Sequence, residues 1–320
     1  MRRDGKDCGL AIEEPRDRLR VRRFAHEAMA TVFEVYADHP DEQYAAQAAQ
    51  ATFDLLDRLE RELSRFLPNS DISRITRLAA GERTRVSPST IECLVIARHV
   101  FELTGGVFDV SLGTGLPSLD LDPENLIVRA AKSGVVVDLG GIGKGYSVDR
   151  MVDVLEEWGL SRALVHGGFS SVLALEAPVG RDGWPLTLSD PAAPSRVLAR
   201  LAVRQTALGA SGVRKGTHIV DPRTGQPAIG RHAAWVAIPR PQVPASEPPG
   251  EFQARAAAVT DALTTAFMLM RMEDMESLCE GSPGLEAWIL PESAGDPQGQ
   301  PRLRHFGPGR RNICGAANVG

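Results

Sequence analysis

The stretch that organises this chain is VVVDLGGIGKGYSVDR, residues 135–150. Its three valines predict a buried strand, its glycines predict a turn, and the segment from about Ser147 predicts a helix. Glycines without a Cβ allow backbone N–H groups to converge on an anion, and the positive end of a following helix favours the same charge. The stretch is therefore typical of a diphosphate cradle, and equally of a tight turn between a strand and a helix.

Two common phosphate-binding motifs do not match this stretch. A Walker A loop needs serine or threonine after its lysine and a glycine six positions before it. Here Gly145 follows Lys144, and Asp138 stands at the earlier position. The dinucleotide fingerprint Gly-x-Gly-x-x-Gly also fails, because no third glycine follows Gly141 and Gly143 at the required spacing. The stretch alone leaves both interpretations open.

Composition places the chain among ordinary globular proteins. Its 320 residues suffice for one large domain or two closely packed halves. The net charge of −5 and the isoelectric point near 5.9 provide no positive surface for a polyanion. No stripe of lysine and arginine is visible either, so we expect no nucleic-acid partner.

The cysteine content and the hydropathy of the chain indicate its cellular location. The cysteines Cys8, Cys93, Cys279 and Cys314 form no Cys-x-x-Cys pair and have no histidines at zinc spacing, which argues against a zinc cluster or a disulfide framework. Residues 1–8 are charged and lack the apolar run of a signal peptide, and no segment approaches eighteen uninterrupted apolar residues. We therefore expect a cytoplasmic protein with no membrane anchor.

The rest of the chain shows the periods of both helices and strands. Apolar residues at helical spacing predict helices over 41–66, 88–104, 147–158 and 256–270. Alternating or continuous apolar runs predict strands around 32–35, 163–166, 171–175, 186–189 and 197–203. Because these strands cluster instead of alternating with helices, we predict an α+β fold, with a mixed or antiparallel sheet and packed helices. A doubly wound Rossmann sheet is the alternative.

A few side chains suggest chemistry. Asp261 and Thr265 lie four residues apart on a predicted helix and share one face, where a carboxylate and a hydroxyl would suit Mg²⁺ better than zinc. The structural alternative is that Asp261 favours a first helical turn and Thr265 bonds back to the carbonyl four residues earlier. His218 suits either proton transfer or a structural position beside a strand. Phe66 suits either the core or a stacking platform for an adenine.

Read together, seven ordered segments are similar to the signature segments of the ApbE family of FAD:protein FMN transferases. The resemblance covers roughly residues 22–290. In chain order, the segments are MAT at 29–31, LSRF at 63–66 with SDIS at 70–73, GGVFD at 105–109, DLGGIGKGY at 138–146, SG at 211–212, HIVDPRTG at 218–225 and TDALTTA at 260–266. Any one of them is a weak signal, whereas seven in the same order are specific.

The resemblance implies a magnesium-dependent enzyme that transfers the FMN half of FAD to a threonine or serine hydroxyl of an acceptor protein and releases AMP. FAD would lie in a cleft between two lobes. It also implies roles for individual residues. Side chains of Asp261 and Thr265 and the carbonyl of Gly143 would bind Mg²⁺, and His218 would be the general base. The positions expected along FAD are Met29, Phe66, Phe108, Asp109, Lys144 and Ile219.

Three departures from the family pattern accompany the resemblance. The family usually has alanine at the position of Gly143, which is harmless if only the carbonyl is used. It usually has tyrosine at the position of Phe66, so stacking is retained but a phenolic hydrogen bond is lost. The stretch between Asp109 and Asp138 is shorter than is typical, which removes part of the wall expected on the isoalloxazine side.

Two other functions agree with the same residues. An FAD pyrophosphatase would use the same metal and diphosphate site with water in place of the acceptor hydroxyl, giving FMN and AMP. A non-catalytic FAD-binding or flavin-delivery protein would bind FAD without releasing AMP. For domain organisation, we predict a flexible tail over 1–21, one flavin transferase domain over 22–290, and a second flexible tail over 291–320.

Overall fold

The computed structural model describes residues 10–12, 20–212, 219–240, 255–292 and 303–307. Its helices are α1 Glu42–Leu63, α2 Asp71–Thr76, α3 Pro88–Leu103, α4 Gly143–Glu157, α5 Ala256–Phe267 and α6 Met272–Gly281. Its strands are β1 Leu10–Ile12, β2 Val21–Ala28, β3 Thr31–Asp38, β4 Arg83–Arg85, β5 Leu119–Asp122, β6 Ile127–Ala130, β7 Ala163–Gly167, β8 Ser171–Ala174, β9 Trp184–Asp190, β10 Ala193–Val203, β11 Thr206–Gly212, β12 Arg231–Pro239, β13 Glu286–Pro291 and β14 Arg304–Phe306.

An eight-stranded sheet forms the centre of the molecule. Its strand order is β14-β13-β12-β11-β8-β7-β3-β2, and each of these neighbouring pairs is antiparallel. Two three-stranded sheets, β1-β9-β10 and β4-β6-β5, accompany it. The predicted α+β fold is thus confirmed in its antiparallel form, and the Rossmann alternative is wrong, because no βαβ crossover joins parallel strands within the described residues.

The two faces of the large sheet have different partners. Alternate residues such as Val35 and Val165 pack with α1, α4 and α5 in the larger hydrophobic core. The intervening residues, such as Leu164 and Trp235, pack with β9 and β10 in a second core around Trp184. The period of two along each strand therefore separates a helical layer from a layer of strands.

Local sequence explains where the helices begin. Asp41, Ser70 and Ser87 precede α1, α2 and α3, and each side chain accepts a hydrogen bond from a backbone N–H of the first turn. Between β2 and β3 the chain reverses through Met29 and Ala30, whose φ angles are 51° and 57°. This left-handed pair joins adjacent antiparallel strands by a two-residue turn of the kind that matches their twist.

The glycine-rich stretch differs from its prediction at both ends. Residues 135–139 form no strand. Their amides bond to dispersed partners: Val136 to the Thr114 hydroxyl at 2.9 Å, Val137 to the Thr76 hydroxyl at 3.2 Å, and Asp138 to the carbonyl of Val110 at 2.7 Å. The helix that follows starts at Gly143 rather than at Ser147, so Lys144 lies in its first turn.

Short strands occur inside both segments predicted as flexible tails. β1 pairs with β9, and β14 pairs with β13 at the edge of the large sheet. Ladder hydrogen bonds to distant strands order these three-residue segments, although their own sequences carry little periodicity. The bounds of the domain at 22 and 290 remain a prediction. Of the helices described here, none combines the length and hydropathy needed to cross a bilayer.

Candidate functional site

A cleft of about 890 Å³ brings the sequence-predicted residues together. Its lining comes from the β2–β3 turn, the segments after α1 and α3, the glycine-rich stretch, the end of β11 and one face of α5. Nine predicted site residues line it: Met29, Phe66, Phe108, Asp109, Gly143, Lys144, Ile219, Asp261 and Thr265. The tenth, His218, lies outside the described residues.

Asp261 is the buried acid of the cleft. It lies on α5 with 2% of its surface exposed. Its Oδ2 accepts a hydrogen bond from the amide of Gly145 at 3.0 Å and lies 3.5 Å from Nζ of Lys144. Burial raises the pKa of the Asp261 carboxyl, and the positive charge of Lys144 opposes that shift. Added positive charge at this point would therefore stabilise the ionised carboxylate.

Thr265 and Gly143 place two further oxygens in the cleft. The Thr265 hydroxyl is 3.4 Å from the backbone carbonyl of Asp261, so the bond back to the preceding turn is present but long. The carbonyl of Gly143 accepts a hydrogen bond from the Ser147 hydroxyl at 2.8 Å. The Thr265 hydroxyl oxygen has two lone pairs and retains acceptor capacity, whereas the Gly143 carbonyl, at the start of α4, accepts both the amide and the hydroxyl of Ser147.

Glycine at position 145 is required by the close approach of two helices. A Cβ there would lie 2.1 Å from the carbonyl oxygen of Ala257 and 2.8 Å from the Cβ of Asp261. The first turn of α4 therefore lies directly against α5. This contact brings Lys144 next to Asp261 and lets the Gly145 amide reach its carboxylate.

The Asp109 carboxylate stabilises the loop that follows it. Its carboxylate accepts hydrogen bonds from the amide of Ser111 at 2.7 Å, the hydroxyl of Ser111 at 2.7 Å and the amide of Gly113 at 2.9 Å. These bonds hold the loop that carries Leu112, which has a φ of 53° and also lines the cleft. The sequence placed Asp109 beside a ligand without indicating that its carboxylate organises the surrounding loop.

Phe66 and Met29 occupy the rim and the inner wall. Phe66 is 80% exposed, so the interpretation as a core residue is wrong. The guanidinium of Arg65 lies 4.7 Å from the centre of its ring. Met29 is held by its amide, which donates to the Glu60 carboxylate at 2.9 Å.

Several residues that line the cleft were not predicted from the sequence to bind a ligand. Arg65 forms an ion pair with Asp138 at 3.0 Å, and Oδ1 of Asp138 accepts the amide of Gly140 at 2.9 Å. Both residues fell within the quoted segments, but nothing in their spacing indicated that they pair. Glu60 lies in the middle of a helical pattern, where an acid is ordinary, so its sequence carried no signal at all.

The residues of the cleft suit a hard cation better than zinc. Within the described residues, no three side chains of histidine, cysteine, aspartate or glutamate are grouped to hold a metal. Among the lining residues, Asp261 carries a carboxylate, Thr265 a hydroxyl and Gly143 a backbone carbonyl. Mg²⁺ commonly takes one or two carboxylates and completes its shell with waters and phosphate oxygens.

A family model and curated relatives both match this chain to the ApbE family. The model of the ApbE family matches residues 29–119 and 114–246. The FAD:protein FMN transferase of Treponema pallidum is 26% identical over 337 residues, an alignment covering 89% of each chain. The FAD:protein FMN transferase of Vibrio cholerae is 25% identical over 217 residues, covering 55% of this chain and 64% of the relative.

Solved structures show the same fold at lower sequence identity. The ApbE protein of Thermotoga maritima superposes with a TM-score of 0.74 at 21% identity, covering 89% of this chain and 97% of that one. The flavin transferase ApbE of Vibrio cholerae gives a TM-score of 0.73 at 18% identity, with the same coverage. These similarities support the architecture of the large sheet and its helices.

Proposed function

The chain belongs to the ApbE family and is an enzyme of the FAD:protein FMN transferase type, and we propose its reaction in more detail. It moves the FMN moiety of FAD onto a threonine or serine hydroxyl of an acceptor protein and releases AMP. It requires Mg²⁺, and its substrates are FAD and the acceptor.

The observation that carries this proposal is the convergence of distant segments on one cleft. Residues from position 29 to position 269 line it. Its volume of about 890 Å³ is near the upper end of the range, about 300–1,000 Å³, that small-molecule sites occupy. A buried carboxylate, a lysine and a glycine-rich turn lie together, as cleavage of a diphosphate needs.

The residues present fit a magnesium ion. Asp261 would supply the charged ligand, and Thr265 and the Gly143 carbonyl the neutral ones. The fit rests on the buried carboxylate, whose burial disfavours its charge, and on the purely oxygen donor set. Bound there, Mg²⁺ would neutralise negative charge on the phosphate oxygens.

The chain's own groups account for much of the binding and orientation. Lys144 donates to the carbonyl of Gly140 at 3.1 Å, which holds its ammonium group beside the glycine-rich turn and the cleft. Phe66 offers an exposed ring for an adenine to stack on, and the buried Phe108 and Ile219 supply apolar wall. Together they would orient FAD with its diphosphate near Asp261.

The chemical step is a substitution at phosphorus. The acceptor hydroxyl oxygen forms a bond to the FMN phosphorus while the bond from that phosphorus to the bridging oxygen breaks, and AMP leaves with the bridging oxygen. The hydroxyl proton must pass to a base. We propose His218 for this role because a histidine titrates near neutral pH and Ile219, its neighbour in sequence, lines the cleft.

The test follows both products at once. The purified protein is incubated with FAD and Mg²⁺, with and without a threonine-containing acceptor, while AMP and covalent flavin fluorescence of the acceptor are measured. We expect acceptor fluorescence matched by AMP, and loss of both in EDTA. AMP and free FMN without labelled acceptor would indicate the pyrophosphatase instead, and intact FAD would indicate a binding protein.

A further inference from the structure

The charges that line the cleft are unbalanced. Five carboxylates line it, those of Glu60, Asp109, Asp138, Asp221 and Asp261. Among the described lining residues, the cationic side chains are Arg65 and Lys144. A ligand with a negatively charged diphosphate would therefore enter a cleft whose described side chains are already acidic, so each of the two cations matters for its binding.

The two cations lie at opposite ends of one short run of hydrogen bonds. Arg65 Nη1 is 3.0 Å from Oδ2 of Asp138, and Oδ1 of that residue accepts the amide of Gly140 at 2.9 Å. The carbonyl of Gly140 in turn accepts from Nζ of Lys144 at 3.1 Å. The glycine-rich turn is therefore linked to a guanidinium through Asp138 and to an ammonium through the carbonyl of Gly140.

The two cations differ in how firmly they are held. Lys144 contacts Asp261, whose side chain is 3% exposed, whereas the side chains of Arg65 and Asp138 are 43% and 24% exposed. Because the ion pair between Arg65 and Asp138 is so exposed to solvent, it contributes little to the free energy of unfolding. Arg65 can therefore exchange Asp138 for a phosphate at a small cost in free energy. A planar guanidinium can also bind two phosphate oxygens at once.

From this arrangement we propose that Arg65 is the second diphosphate-binding cation of the cleft. In the complex it would leave Asp138 and contact the phosphate oxygens of FAD together with Lys144. The proposal rests on FAD being the substrate. It assigns Arg65 to ligand affinity, because Arg65 pairs with Asp138, whereas Lys144 pairs with the buried Asp261 beside which the reacting phosphorus is expected.

Equilibrium binding of flavins in EDTA, without acceptor, tests this assignment independently of turnover. FAD and riboflavin are titrated by flavin fluorescence at low salt against the wild type and Arg65→Gln. We expect the Kd for FAD to rise about tenfold in the variant, because one charge-assisted contact is lost. Riboflavin has no diphosphate, so its Kd should stay the same.

Two further variants make the result specific. Arg61→Gln removes the same charge from an exposed position one turn earlier on α1 that does not line the cleft, and should bind FAD like the wild type. Arg65→Lys keeps a point charge and should recover part of the affinity. In turnover, Arg65→Gln should raise KM and leave kcat nearly unchanged.

The outcomes separate this assignment from the proposed function. An unchanged FAD Kd in Arg65→Gln, or an equal loss of riboflavin affinity, would overturn the role of Arg65 even if FMN transfer proceeds. A wild type that binds FAD but transfers nothing would overturn the transferase proposal and leave the binding comparison valid. A wild type that binds no FAD, either in EDTA or with Mg²⁺, would overturn both.

Discussion

At the scale of single residues, the carboxylates of the cleft differ in their hydrogen-bond and ion-pair partners. Asp109 accepts three hydrogen bonds from its own loop and thereby holds the wall of the cleft. Asp138 joins Arg65 to the glycine-rich turn. Asp261 is the most deeply buried of these three, and its partners are the amide of Gly145, the hydroxyl of Ser171 and the ammonium of Lys144 at 3.5 Å. It is therefore the acid with most to gain from a bound cation.

Replacing Asp261 by asparagine should separate catalysis from stability. We expect Asp261→Asn to lower the transfer rate at least about 100-fold, because the charged oxygen of the proposed metal site is lost. Its thermal midpoint should stay the same or rise, because burial disfavours the charge that is removed.

The measurements are AMP release and thermal unfolding with and without Mg²⁺. Mg²⁺ should raise the midpoint of the wild type but not that of Asp261→Asn. Asp54→Asn, at an exposed position on α1, is the matched control and should behave as the wild type. A variant that retains full turnover and its Mg²⁺-induced shift would remove Asp261 from the metal site.

At the scale of elements, the packing of α4 on α5 builds the site. α4 supplies Gly143 and Lys144, and α5 supplies Asp261 and Thr265. Two connections hold the helices in place. Gly145 allows their close approach, and the Asp149 carboxylate of α4 accepts the amides of Ala257 and Ala258, at 3.0 and 2.8 Å, in the first turn of α5. The helix that carries Lys144 thus also caps the helix that carries Asp261.

Two neighbouring glycines should respond oppositely to alanine. At Gly143 a Cβ would meet only the Cβ of Leu139 at 3.8 Å, so Gly143→Ala should be neutral or stabilising by up to about 1 kcal/mol. Gly145→Ala should destabilise by about 3 kcal/mol, because its Cβ would overlap the backbone of α5.

Denaturant unfolding of both variants, with FAD binding as a second readout, checks this pair. Each substitution adds one methyl group within the same helical turn, so each variant controls for the other. Similar unfolding free energies for the two would show that α4 and α5 do not approach as closely as described.

At the scale of the whole molecule, one large sheet separates two differently built cores. Helices α1, α4 and α5 cover one face, and the strands β9 and β10 cover the other. The cleft lies where turns and strand ends of this sheet meet the segments after α1 and α3. Stability of the helical layer therefore also affects the site, because the same helices form both.

The free energy of unfolding should depend on pH in part through the ionisation of Asp149. Burial raises the pKa of its carboxyl to about 7, although two backbone amides oppose the shift. In the unfolded chain its pKa is about 4. Between these values the native state binds the proton and the unfolded state does not, so this contribution to the free energy of unfolding falls as the pH rises from about 4 to 7.

Comparing the wild type with Asp149→Asn isolates this effect. The stability of the wild type relative to the variant should decrease with rising pH, by up to about 4 kcal/mol across that interval. The measurement is denaturant unfolding at several pH values, with Asp120→Asn, at an exposed position, as the control. A difference independent of pH would contradict the raised pKa.

Much of this protein was readable from sequence because it depends on residues close together in the chain. The period of apolar residues predicted α1 and α3, and the capping residues Asp41 and Ser87 lie at their N-termini as local chemistry requires. The order of seven short segments identified the family. Nine of the ten predicted site residues line one cleft, while the role of each stays a prediction.

What the tertiary structure decided depends on partners far away in sequence. Residues 135–139 have the apolar character of a strand, yet their amides bond to a carbonyl and two threonine hydroxyls from other segments. The sheet β4-β6-β5 and the pairing of Arg65 with Asp138 were likewise absent from any local pattern. Periodicity and spacing report which residues are apolar or capping, whereas hydrogen-bond partners and burial depend on how the whole chain packs.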